Sequence, residues 1–176
     1  MNFYYDELSS PIGPLTVIMK EDIVIRIDFG TMADVQEKII PWCTRYFGEP
    51  VFIRQPEKIV HIRQEMNEYF AGNRYEFTFS YMFYGTPFQK AVWTALTRDI
   101  PYGETKTYKD IAQAIHNERA VRAVGGAVNK NPFSIVVPCH RVIGKNGKMV
   151  GYGGGIDKKE FLLQHESDEL RSINQA

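Results

Sequence analysis

Two cysteines, Cys43 and Cys139, are all that the 176 residues contain. That is too few for a Cys-rich zinc site, and a pair so far apart is expected as free thiols in a reducing cytosol. The four histidines, His61, His116, His140 and His165, show neither HxxxH nor HxH spacing, so no metal site is expected. No apolar run approaches the roughly 18 residues that cross a bilayer, so no membrane segment is predicted. The first ten residues, MNFYYDELSS, carry acids and no basic stretch, which gives no secretory signal and a cytoplasmic expectation. No GxxxxGK[ST] pattern occurs, and Gly151-Tyr152-Gly153-Gly154-Gly155 does not open a helix after a strand in the dinucleotide manner. Phosphate-cradling cofactors are therefore not expected, and no cofactor is assigned. What is present is a real core: 44% of residues are hydrophobic and 13% aromatic, enough for a folded chain rather than a disordered one.

The net charge is zero but unevenly spread. Residues 1–83 carry 8 Lys/Arg against 12 Asp/Glu, a balance of −4, whereas residues 84–166 carry 12 against 7, a balance of +5. A basic segment is the footprint of a phosphate-rich partner or an ordinary fluctuation of surface charge; the count alone does not separate the two.

Residues 1–83 read as an α/β scaffold domain. Leu15–Met19 and Ile23–Phe29 are β-rich runs joined by Lys20-Glu21-Asp22, a hairpin signal, with Ile23, Ile25, Ile27 and Phe29 on one face. Pro56-Glu57 opens a helix whose Ile59, Ile62, Met66, Tyr69 and Phe70 form an apolar stripe ended by Gly72. Glu76–Phe79 is expected as another strand. His61 reads as a surface or half-buried residue rather than a ligand, and Trp42 and Cys43 after Pro41 as core or helix-break residues. No catalytic constellation occurs in this half.

The turn Tyr84-Gly85-Thr86-Pro87 marks the boundary, with residues 84–170 as a second domain and 171–176 as a tail. Thr86 caps a helix with Pro87 at its first position, Pro101-Tyr102-Gly103 breaks it, and Thr107 caps the next. A brief turn, His116-Asn117-Glu118, leads to a further helix over Ala120–Val128, a helix-turn-helix arrangement. That last helix has almost no side-chain bulk at Ala120, Ala123, Gly125, Gly126 and Ala127. Two glycines inside a helix cost roughly 1 kcal/mol each relative to Ala. Such a helix suits close approach of another helix or of a ligand, and both readings stay open.

Ser134–Val137 is expected as a short buried strand stopping at Pro138, with Cys139-His140-Arg141 at its end. A lone cysteine is ordinarily a small apolar filler. Here His140 supplies a base and Arg141 a fixed positive charge, the two devices that favour a thiolate. Neighbours on an extended strand point apart, so a bridging water or a bend would have to connect Cys139 with His140. The glycine-rich loop 144–155 reads as a backbone wall that admits a flat ligand closely. Asp157 to Glu160 resembles a capping box before a helix containing Glu166, which is either a solvated helix-end acid or the orienter of His140.

Val137-Pro138-Cys139-His140-Arg141-Val142 resembles the active-site signature of the O6-alkylguanine-DNA alkyltransferases, which repair alkylated guanine in DNA and are consumed in doing so. The similarity continues, in order, through Phe88-Gln89, Val92-Trp93, Pro101-Tyr102-Gly103, Thr107-Tyr108, Val121 to Ala127, Asn131-Pro132, Gly151-Tyr152 with Gly154-Gly155, and Leu162-Leu163 to His165-Glu166. The resemblance implies an N-terminal α/β domain of ribonuclease H-like form with an antiparallel sheet. It also implies a mainly helical, winged-helix-like C-terminal domain. Cys139 is then the alkyl acceptor, His140 the residue taking its proton through a water, Glu166 the carboxylate holding that imidazole, and Asn131 the amide fixing the turn. Tyr108 would rotate the target phosphate and contact guanine. Arg122 would fill the gap left by the extruded nucleotide, since a stacked base cannot present its O6 group to a thiol. Ala123, Gly125 and Gly126 would lie against the minor groove. Tyr108, Val142, Tyr152 and Gly153 would line the guanine pocket. The implied partner is double-stranded DNA containing O6-alkylguanine, bound by a monomer without membrane association, cofactor or metal.

Departures from the family pattern are Gly153 after the pocket tyrosine, where Ser or Ala is common, and Val128-Asn129-Lys130, less basic than usual, which points to modest DNA affinity. The zinc-cysteine domain of larger bifunctional relatives has no counterpart. The alternatives are a helix-turn-helix regulator or lesion sensor with a structural Cys139, and a Cys-His hydrolase. Non-catalytic relatives replace the reactive cysteine, so Cys139 argues against the sensor.

Overall fold

The computed structural model describes residues 1–149, 152 and 154–175, with no side chain described beyond Arg171. The chain forms two units, Met1–Tyr84 and Gly85–Ala176.

In the first unit, strands β1 (Asn2–Leu8), β2 (Leu15–Lys20) and β3 (Ile23–Phe29) are followed by helix α1 (Met32–Phe47), strand β4 (Val51–Arg54) and helix α2 (Val60–Phe70). Glu21, with φ 55°, turns the hairpin between β2 and β3. The sheet order is β3-β2-β1-β4, antiparallel except for β1 and β4, which run parallel. The sheet is therefore mixed, which corrects the antiparallel expectation. The helix α1 is the cause: it carries the chain back to the end where β3 began, and a strand laid down after such a crossover runs parallel. Its N-terminus is a reciprocal cap between Thr31 and Asp34. Pro41 sits inside it without ending it, at a cost of about 3 kcal/mol. Burial of Val35, Ile39 and Cys43 against Phe3, Ile18 and Ile25 opposes that cost, so Cys43 is core.

The expected strand at Glu76–Phe79 does not form. Both the backbone N–H and the hydroxyl of Thr78 donate to the buried Glu65 carboxylate, at 2.6 and 2.9 Å, which takes the place of a strand neighbour. Phe77, Phe79, Tyr81 and Phe83 then pack ring to ring along the segment.

The second unit contains α3 (Pro87–Asp99), strand β5 (Lys106–Thr107), α4 (Tyr108–Ala114), α5 (Val121–Asn129), strand β6 (Val142–Ile143) and α6 (Ile156–Gln175). Thr86 and Thr107 each cap a helix reciprocally, with Gln89 and Asp110. Trp93 on α3, fully buried, donates its indole N–H to the Ala127 carbonyl of α5 at 2.8 Å. Strands β5 and β6 pair in parallel. The turn at Gly103 needs glycine: φ is +82°, and a Cβ there would lie 1.9 Å from Leu170 Cδ1. Helix α6 begins at Ile156, so Asp157 stands in its first turn rather than capping it, and residues 171–175 continue it instead of forming a separate tail.

Candidate active site

Ser134–Val137 is not a strand. Ile135 takes φ 73°, a left-handed conformation that is rare for a β-branched residue and costs on the order of 1–3 kcal/mol. The chain coils there, with Val136 N–H bonded to Ser134 O and Val137 N–H to Phe133 O. One side chain holds the coil together. Asn131 accepts the Phe133 N–H at 2.9 Å, and its amide N–H group donates to Phe133 O at 3.2 Å and Val137 O at 2.8 Å. The same amide nitrogen lies 3.0 Å from Cys139 Sγ, to which it donates. Cys139-His140-Arg141 follows as a single 3₁₀ turn. The bend that an extended strand would have lacked is thus supplied by the turn.

Cys139 is 6% exposed and His140 fully buried. The His140 Nε2 is 2.8 Å from Glu166 Oε2 on α6, and Glu166 is bound a second time by Arg141, Nε to Oε1 at 2.8 Å and Nη2 to Oε2 at 3.1 Å. Arg141 also donates to the Ile100 carbonyl at 2.8 Å. Burial alone would raise the Glu166 carboxyl, but His140 and Arg141 together outweigh it and hold the acid well below the usual carboxylate range. Glu166 is therefore a fixed anion at neutral pH. Burial depresses the His140 imidazole below its ordinary value, with Glu166 opposing only in part, so the ring is neutral. A neutral imidazole facing a permanent carboxylate carries its proton on Nε2, the nitrogen at that carboxylate. The lone pair is then on Nδ1, which is buried and makes no hydrogen bond to the described residues. The result is a base whose free nitrogen is chosen by Glu166 and whose orienter is itself clamped by arginine.

Burial pushes the Cys139 thiol up, while Asn131, Tyr152 and the Lys159 ammonium oppose it. The resting group is a thiol, so a reaction at sulfur requires a base. Tyr108, half-buried at the start of α4, has its phenol raised first by burial and then, where Cys139 is ionised, by the thiolate.

The expected site residues fall into two groups. Cys139, Asn131, His140 and Glu166 are joined by hydrogen bonds or the 3₁₀ turn, with Tyr108 and Tyr152 coupled to the sulfur and Val142 capping the turn. Arg122, Ala123 and Gly126 instead form an exposed face of α5. Gly125 connects the two, since a Cβ there would touch the Tyr108 ring at 3.9 Å. Gly151 and Gly153 lie outside the described residues. Two participants go beyond the sequence expectations. Arg141 is not only a positive charge but the clamp on Glu166. Lys159, within the expected capping box, is fully buried. The signal for it was present: Lys159, Leu162 and Glu166 at i, i+3 and i+7 share one helix face.

Residues 87–168 match the family described as 6-O-methylguanine DNA methyltransferase, DNA binding domain, and residues 3–81 match its ribonuclease-like domain. The chain belongs to the 6-O-methylguanine DNA methyltransferase family. It is 43% identical to a methylated-DNA–protein-cysteine methyltransferase of Methanosarcina barkeri, over 96% of this chain and 99% of that one. With the inducible enzyme of the same name from Bacillus subtilis it shares 45% identity over 74% of this chain and 72% of that one. Among solved structures, the O6-methylguanine methyltransferase of Mycobacterium tuberculosis superposes with a TM-score of 0.81 at 39% identity, covering 95% of this chain and 94% of that one. The M. tuberculosis OGT in complex with DNA gives 0.80 at 37% identity, covering 96% and 94%.

Proposed function

We propose that this methyltransferase repairs alkylated DNA by direct reversal, moving the alkyl group of O6-alkylguanine irreversibly onto Cys139. The observation that carries the reading is the polar wiring of a nearly buried cysteine. Its sulfur accepts from Asn131, and the adjacent imidazole is fixed in one tautomer by the Glu166–Arg141 pair. A structural cysteine has no use for such neighbours.

The thiol proton passes to Nδ1 of His140, through a bridging water as the family resemblance implies, and Glu166 stabilises the imidazolium that forms. The thiolate attacks the alkyl carbon. A sulfur–carbon bond forms as the carbon–O6 bond breaks, the electron pair leaves with guanine, and the proton the purine gains balances the one the thiol lost. The product thioether has no leaving group that a nearby base could expel, so each molecule acts once. No step calls for a metal or a cofactor.

Reaching O6 requires the nucleotide to leave the stack, at a cost of a few kcal/mol. In this reading α4 and α5 are a helix-turn-helix within a winged-helix-like domain, and the first unit is ribonuclease H-like. The α5 face enters the minor groove of double-stranded DNA, Arg122 occupies the gap, and Tyr108 directs the phosphate. Tyr108, Val142, Tyr152 and Gly153 receive the base. The space around α5 supports this: a Cβ at Gly126 would meet nothing within 4 Å, and one at Gly125 only ordinary contact. Packing among the described residues does not demand either glycine, which supports close approach of a ligand. The protein is proposed to act as a cytoplasmic monomer.

Intact-protein mass measurement after incubation with an O6-methylguanine oligonucleotide tests the assignment. A permanent gain of one methyl group per molecule, absent in Cys139→Ala although that variant still binds the oligonucleotide, is expected. Tight binding with no adduct on the unaltered protein would make it a lesion sensor, and repeated turnover of an ester or amide would make it a hydrolase.

A further inference from the structure

Lys130 closes α5. Asn129 before it is the last helical residue, and the Lys130 N–H still bonds the Ala127 carbonyl at 3.1 Å, so the helical phase carries through to its Cα. Arg122, Gly126 and Lys130 then stand at i, i+4 and i+8, a single row along one face of the helix. All three are exposed. At 1.5 Å per residue the two cations are about 12 Å apart along the axis. Midway between them is a position without a side chain, where a Cβ would meet nothing within 4 Å among the described residues. Neither Arg122 nor Lys130 is neutralised by a described residue, whereas Arg98, exposed on α3, is paired with Asp99 at 2.8 Å. A lysine at a helix C-terminus has an ordinary use, since it offsets the partial negative charge there. That use leaves its phase unexplained, because any exposed side of the last turn would serve.

We propose that Lys130 is a backbone-phosphate contact for duplex DNA. This rests on the α5 face entering the groove, and residues 87–168, which include Lys130, match a DNA binding domain. With Arg122 at the gap and the helix backbone nearest the duplex at Gly126, the ammonium at the far end of the row meets the sugar–phosphate chain. It acts as a point charge that neutralises one phosphate and releases its counterion. Such a contact sets position and carries no base sequence. It also bears on the reactive turn. Asn131 is next in the chain, and its amide donates to the Val137 carbonyl and to Cys139 Sγ. A phosphate held at Lys130 fixes the end of the helix from which that clasp begins.

Equilibrium binding of an undamaged duplex, titrated from about 50 to about 200 mM salt, reads the contact without any methyl transfer. Losing one phosphate contact flattens the plot of log affinity against log salt by about 0.9. Lys130→Gln is therefore expected to bind more weakly at the low-salt end, with its deficit shrinking about threefold across that range. Lys130→Arg should keep the slope of the unaltered protein. Arg45→Gln, which removes an exposed cation of α1 in the first unit, should keep it as well. An unchanged slope in Lys130→Gln, or an equal flattening in Arg45→Gln, overturns the proposal. A lowered melting temperature with an unchanged slope would assign Lys130 to the helix end alone. Failure of the unaltered protein to bind duplex would take down the groove reading and this contact with it. Binding without methyl transfer would count against the repair reaction and would leave these slopes decisive.

Discussion

Replacing Glu166 by Gln removes a charge on which two buried residues depend. Arg141 would keep its guanidinium with one carbonyl partner, Ile100 O, and lose its ion pair. Breaking a buried pair from one side costs about 3–5 kcal/mol, so Glu166→Gln should lower the denaturant midpoint substantially, as equilibrium unfolding would register. The same change frees the His140 tautomer. An amide can donate as well as accept, so it no longer dictates that the His140 proton sits on Nε2. Alkyl transfer should therefore fall further than loss of folded protein accounts for. A variant with normal single-turnover transfer per folded molecule would refute the orienting role. Much of this residue-level site was legible in the sequence, because PCHR is contiguous and brings its own base and cation. The pairing of His140 with Glu166 came only with the family resemblance, since 26 residues separate them and only the packing of α6 on the turn makes them meet. Lys159 was hidden for another reason: beside Lys158 it looks like any solvated lysine, and only helical phase distinguishes them.

At the scale of elements, α5 offers a separation of folding from function. Gly126 is exposed and helical, and a Cβ there would meet nothing within 4 Å among the described residues. Gly126→Leu should fit the chain without clash and gain on the order of 0.5–1 kcal/mol from helix propensity. Duplex binding should nonetheless weaken, because the new side chain holds the backbone away from the groove. A thermal melt and a DNA-binding titration on one sample measure both, and undiminished duplex affinity would remove the groove-facing assignment. Arg122→Ala, on the same exposed face, is expected to slow transfer from duplex DNA far more than from free O6-methylguanine base. Equal losses on both substrates would dismiss its role in extrusion. The elements themselves were visible to different degrees. Helices α3 and α4, announced by Thr86 with Pro87 and by Thr107, begin where the sequence places them, whereas α1 behind the Thr31 cap was not placed. The segments 76–79 and 134–137 look like strands by composition but are coiled, because the Glu65 carboxylate, 13 residues away, and the nearby Asn131 amide take over backbone hydrogen bonds there. Side-chain capture of this kind has no signature in strand propensity.

For the molecule as a whole, the buried titrating groups set an order of events in acid. In the second unit, burial holds the folded His140 pKa below its ordinary 6.5. The unfolded chain binds that proton as pH drops through about 6.5 while the folded unit does not, so stability begins to be lost there. Glu166, depressed in the folded state, adds a further loss below about 4.5, where the unfolded carboxyl protonates. In the first unit the depressed groups are carboxylates. Asp28 is buried, but its ion pairs with Arg26 and Lys38 more than offset that burial, and Arg54 and Arg63 do the same for Asp6. Their contribution persists until the pH nears about 4, the unfolded aspartate value. The second unit should thus weaken first on acidification. Each unit holds one tryptophan, Trp42 in the first and Trp93 in the second, so Trp93→Phe and Trp42→Phe give single-reporter proteins. Denaturant midpoints followed by Trp93 fluorescence are expected to fall between pH 7 and 5, while those followed by Trp42 hold nearly level until close to pH 4. Coincident declines starting only near pH 4 would mean that His140 is not held neutral in the folded protein, and the base assigned to it would have to be sought elsewhere.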